Sequence, residues 1–224
     1  MNLLEAIVNY AQAHLTPNND WYAWKKINAS YFPQGIVVPP GNQYTQNVTL
    51  KQSLSALYAA GDEDRRFELT RYYIVNWGGV RGNKVEKLRT YALAQPAELI
   101  ANGSKGIASW SKALCVRNPN IYAIYDARVA LALNCLQEAY QVETPKLFPL
   151  ITGQNKAVNS GVAKMREHAQ DNQWETIPEQ DFYCLYNENL SRAAKMMEIE
   201  IYTLEMLLFS KVLDLYAVAF PEPD

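Results

Sequence analysis

Apolar residues at helical spacing run along nearly the whole chain, and no run of strands or β-α-β alternation interrupts them. NLLEAIVNYAQAH (2–14) carries an apolar stripe, and TLKQSLSALYAAG (49–61) opens on a Thr cap and closes on Gly. DEDRRFELTRYYIVNWGG (62–79) puts acids in its first turn and glycines after its last. QPAELIANG (95–103) sets Pro96 near a helix start and Gly103 at its end. Three further striped segments cover 158–170, 178–197 and 200–216. The pattern predicts an all-α protein. Stretches rich in Pro, Gly and Asn at 29–47 and 141–155 are irregular, and the second separates a central helical unit from the carboxy-terminal helices.

At 224 residues and 49% hydrophobic, the chain has the material for one compact helical unit with a real core. No stretch approaches the roughly 20 uninterrupted apolar residues of a membrane span, and Glu5 stands where a secretory signal would be basic, so the expectation is a cytoplasmic protein with no membrane partner. Cys115, Cys135 and Cys184 are odd in number and far apart, which supplies neither a disulfide framework nor a Cys-x-x-Cys site. His14 and His168 are the only histidines and neither belongs to a metal-binding pattern. No metal and no cofactor are expected, and any chemistry must run largely without histidine.

The net charge of −2 hides an uneven distribution. From Arg65 to Arg128 there are eleven Lys/Arg against four acids, a local excess of +7 that leaves −9 for the remainder. Such a segment can focus a positive field on one face of an acidic protein, or it can be no more than solvated helix faces.

Within it, residues 95 to 134 read as a short helix (96–102), a tight hairpin (103–108), a second helix (109–116), a loop through Asn118-Pro119-Asn120, and a third helix opened by Asp126. A Gly-containing hairpin can bring backbone N–H groups and a helix amino terminus close to a phosphate. Lys105 and Lys112 could add charge there, and Ser109 or Ser111 could donate hydrogen bonds. Asp126 is either the cap of the third helix or a reactive carboxylate placed at its start.

This stretch resembles the helix-hairpin-helix DNA glycosylase superfamily, the group that includes endonuclease III and 8-oxoguanine DNA glycosylase. Gly106-Ile107-Ala108 matches the family's hairpin, Ser111-Lys112-Ala113 lies where its second helix runs, and Ile124-Tyr125-Asp126-Ala127-Arg128-Val129 matches the motif of its catalytic Asp. The likeness covers residues 66 to 135, with generic helices on either side. It departs at Ala108, where the family has a second glycine, and at Arg128, where several relatives have histidine. It departs again at Trp110, which occupies the position of the lysine nucleophile of bifunctional members. Lys112 lies two residues on, about 200° around the helix, and is not expected to replace it.

The resemblance implies a helix-hairpin-helix glycosylase-like bundle, either one unit over 1–224 or a core at 62–138 flanked by 1–61 together with 156–224. It implies a monofunctional DNA glycosylase that flips a modified or damaged base, in base excision or phage defence. Asp126 is the catalytic candidate, because cutting an N-glycosidic bond develops positive charge on the sugar and a carboxylate beneath it stabilises that charge. Lys105, Gly106, Ala108, Ser109, Ser111, Lys112 and Arg128 are the candidate DNA contacts. Asn76, Trp77, Arg81 and Tyr125 are candidates for the base pocket, since a flipped base needs flat side chains and groups that read its edge. The competing reading is a module that holds DNA or a protein partner without cutting anything.

Overall fold

The computed structural model describes residues 1–24 and 27–221. Among them the protein is all-α: α1 Leu3–His14, α2 Gln43–Ala60, α3 Glu63–Arg71, α4 Val85–Leu93, α5 Pro96–Ile100, α6 Ile107–Arg117, α7 Ala127–Ala139, α8 Lys156–Asp171, α9 Phe182–Met197, α10 Ile201–Ser210 and α11 Val212–Ala219. The exception is a two-residue parallel pairing of β1 Lys146–Leu147 with β2 Glu175–Thr176. No helix of the described residues is long and apolar enough to cross a membrane.

The helices begin and end where local chemistry dictates. Asn2 and Glu5 form a reciprocal capping box on α1, Asp62 caps α3, and Asn155 caps α8. One expected start moves. The helix predicted to open at Thr49 begins six residues earlier as α2, because the Asn42 side chain accepts from Thr45 N–H and initiates it. α3 runs directly into a π-helical turn, Tyr72–Trp77, before Gly78 and Gly79 end it. Gly79 adopts the left-handed conformation open to glycine.

Ten of the eleven residues from Ala127 through Gln137 are buried, all but Arg128, which makes α7 the hub of the molecule. α1, α8, α10 and α11 pack around it. Gly161 of α8 comes so close that an added Cβ would meet Leu131 at 2.7 Å. Two buried amides on α7 pin the loop that follows: Asn134 exchanges hydrogen bonds with the Phe148 backbone, and Gln137 does the same with Lys146. A second apolar cluster joins Leu50 and Leu54 of α2 to Leu69, Tyr72 and Tyr73, and to Cys115 and Val116 of α6. α2 therefore packs with α3 and α6, and through Lys51 and Glu205 it also meets α10, while α1 packs on α9.

Candidate active site

Asp126 owes its position to an extended strap, residues 122–126, threaded between α6 and α9. Tyr183 and Tyr186 of α9 donate their hydroxyls to the carbonyls of Ala123 and Ile124, both at 2.9 Å. Asn187 accepts from Ala123 N–H at 2.8 Å. From the other side the buried Ser111 hydroxyl accepts from Tyr125 N–H at 3.1 Å and donates to Ile107 C=O at 2.6 Å. Every bond to the strap is thus made by a buried or half-buried group, which fixes where α7 begins.

At that point Asp126 Oδ1 accepts from the N–H groups of Arg128 (3.0 Å) and Val129 (3.2 Å), the geometry of an N-cap. Its other oxygen, Oδ2, lies 3.8 Å from Lys112 Nζ, and the two side chains are 18% and 4% exposed. Lys112 Nζ also donates to Ala108 C=O at 2.8 Å. Burial pushes the Lys112 ammonium below its ordinary range, and Asp126 opposes that shift. Gly78 lies against the lysine stem so closely that a Cβ there would meet Lys112 Cε at 2.8 Å and Ile74 C=O at 2.8 Å.

Both groups line a cleft of about 380 Å³. Trp24, Trp77, Phe209, Val80 and Val158 supply flat or apolar surface, and Arg81, Thr152, Gln154 and Asn155 supply polar groups. Trp77 stacks on Tyr73 with ring centroids 4.3 Å apart and donates its indole N–H to Asn47 Oδ1 at 2.9 Å. Trp24 and Phe209 meet edge to face at 4.6 Å. The Arg128 guanidinium lies over both rings, 5.5 Å and 5.0 Å from their centroids.

The structure brings together Asp126, Lys112, Ala108, Arg128, Trp77 and Arg81 from the sequence-derived set and leaves the others elsewhere. Lys105 and Gly106 are exposed on the turn before α6, where Gly106 takes the left-handed conformation. Glu179 already accepts from Ser104 N–H on that turn. Ala108 lies inside the first turn of α6 and needs no positive φ. Ser111 and Lys112 are buried and cannot meet a phosphate at the surface: Ser111 holds the strap and Lys112 faces Asp126. Ser109 is also buried and accepts from the Asn83 side chain. Arg128 is engaged with the aromatic wall. Asn76 is exposed outside the cleft. Tyr125 is fully buried behind it, with its hydroxyl donated to Pro149 C=O and pushed well above its ordinary range by burial.

Sequence reasoning missed Trp24, Phe209 and residues 152–155. No spacing links Trp24 to Phe209, while the Thr-Gly-Gln-Asn run was visible as an irregular stretch with groups able to hydrogen-bond. No cluster of three or more His, Cys, Asp or Glu suited to a metal occurs among the described residues. Comparison with protein-family models, curated proteins and solved structures returns no match. The site stands on its own geometry as a half-buried carboxylate at a helix start, beside a buried lysine, open to an aromatic-walled cleft.

Proposed function

We propose that the protein is a DNA glycosylase-like enzyme of the helix-hairpin-helix type, hydrolysing the N-glycosidic bond of a modified or damaged base flipped out of DNA. The observation that carries this reading is the placement of Asp126: a carboxylate fixed by two backbone N–H groups in the lining of a cleft that also holds Trp24, Trp77 and Phe209. A flipped base stacks on such surfaces, and Gln154, Asn155 and Thr152 offer groups to its edge. As the glycosidic bond breaks, positive charge grows on the sugar and Asp126 stabilises it until water adds. Exposed Arg81, and Lys105 on the turn before α6, are among the exposed cations that can meet the DNA backbone.

The test is release of free base, read by mass spectrometry, from a panel of damaged and phage-modified DNAs. The wild type releases one base, and Asp126→Asn slows that release about 10²- to 10⁴-fold while still binding DNA. Binding without release from any DNA would overturn the enzyme reading in favour of a non-catalytic DNA-binding module.

A second reading has its own observation. The Lys112 amine lies 3.8 Å from Asp126 in the cleft wall, and burial favours its neutral, nucleophilic form. Although α6 carries Trp110 where a lysine nucleophile was sought, Lys112 is the amine that reaches the carboxylate. Borohydride trapping on abasic-site DNA separates the two readings: a covalent complex lost in Lys112→Gln means attack by lysine, and no complex means attack by water.

A further inference from the structure

Arg128 lines the cleft two residues after Asp126, half-buried, and among the described residues no carboxylate pairs with it. Its guanidinium lies over the rings of Trp24 and Phe209 and donates one hydrogen bond, to Phe209 C=O at 3.4 Å. A guanidinium is always charged and carries five N–H donors in a planar fork. The ring faces attract its charge but leave most of those donors without an acceptor. A partly desolvated charge with no counter-charge costs free energy, and an acceptor brought by a ligand relieves that cost.

The rest of the lining points to a ligand of the same character. Arg81, Lys112 and Arg128 face a single carboxylate, Asp126. Of these cations Lys112 already meets Asp126 Oδ2, while Asp126 Oδ1 is taken by two backbone N–H groups. The remaining acceptors are also engaged: Asn155 Oδ1 accepts from Val158 N–H at 3.1 Å, which leaves the amide NH2 to donate, and Gly79 C=O receives the Gln154 amide at 3.5 Å. A flat ring held against Trp77 or Phe209 therefore meets donors and positive charge along its edge.

We propose that Arg128 is a specificity-determining residue of the cleft, selecting a planar base whose edge carries an anionic or acceptor-rich substituent. The fork on Arg128 suits a carboxylate, which it can hold through two parallel N–H···O bonds. That the ligand is a base rests on the glycosylase reading. The preference for an anionic edge rests only on the charges and hydrogen bonds of the lining.

The probes are two pairs of free bases, each pair differing at one substituent: 5-carboxycytosine against 5-methylcytosine, and 6-carboxyuracil against 6-methyluracil. Binding to the full-length protein is read by NMR from the Trp77 indole N–H, assigned with Trp77→Phe. The wild type binds the carboxylated member of at least one pair about ten-fold or more tightly than its methyl counterpart. Arg128→Gln loses that preference, and Arg128→Lys, which keeps the charge without the fork, narrows it. Equal binding within both pairs, or binding of neither member, overturns the proposal. So does a preference that survives unchanged in Arg128→Gln, or in Arg128→Lys where only the lysine variant folds. Base release is assayed separately with Asp126→Asn. A preference that depends on Arg128, with no base released from any DNA, retains the selectivity and discards the glycosylase reading; release without the preference does the reverse.

Discussion

Lys112 holds its ammonium between the Ala108 carbonyl and the Asp126 carboxylate, covered by Gly78. Burial lowers its affinity for the proton below that of the unfolded chain, whose lysine titrates near 10.5. Between the folded and unfolded midpoints the unfolded state binds more protons, so this group makes the wild type more stable as pH rises through that window. Lys112→Met keeps the stem and removes the charge. The stability of the variant minus that of the wild type is therefore expected to fall as pH rises through the range just below 10.5, measured by urea denaturation at several pH values. A constant difference would mean that the ammonium is not under the burial seen here. The place of this lysine was not legible in the sequence, because helical spacing gives an angle around the axis and not which side meets solvent. α6 is buried from Ser109 through Val116, so it has no polar face on which a charged residue can be assumed to lie.

At the level of the element, Asp126 serves α7 as a cap whatever else it does, and the two roles separate by substitution. Asparagine keeps an oxygen for the N–H groups of Arg128 and Val129, whereas alanine leaves both unsatisfied. Asp126→Asn is expected within about 0.5 kcal/mol of wild type and Asp126→Ala about 1 kcal/mol below it, by chemical denaturation. On the proposed function, both variants are expected to slow base release, Asp126→Ala at least as far as Asp126→Asn. If only the alanine variant loses it, the carboxylate acts through helix position and not through chemistry. Signals of this local kind made the elements readable: Pro96 does open α5, Gly103 and Gly106 take the left-handed turn conformations, and Asp126 caps α7. The start of α2 was misread because Thr49 is also a plausible cap, and only the Asn42 side chain bonded to Thr45 N–H shows which residue nucleates the helix.

Across the whole molecule, α7 gathers α1, α8, α10 and α11 around one core, and the Lys51–Glu205 pair fastens α2 to α10 across 154 residues of sequence. Lys51→Met strands a buried carboxylate and is expected to lower stability by about 3–5 kcal/mol, while Lys51→Met/Glu205→Met recovers most of that loss. Denaturation midpoints of the two variants and the wild type check this, and equal losses in single and double variants would show that the pair is not what joins these helices. By itself the sequence determined most of the helices, the turns at Gly103 and Gly106, and the approach of Asp126 to the start of α7, because each of these depends on interactions within a few residues of chain. Only the tertiary structure decided what Asp126 faces. Trp24, Trp77, Lys112, residues 152–155 and Phe209 become neighbours through packing of distant segments, and the same packing excludes the water that sets the charge state of Lys112.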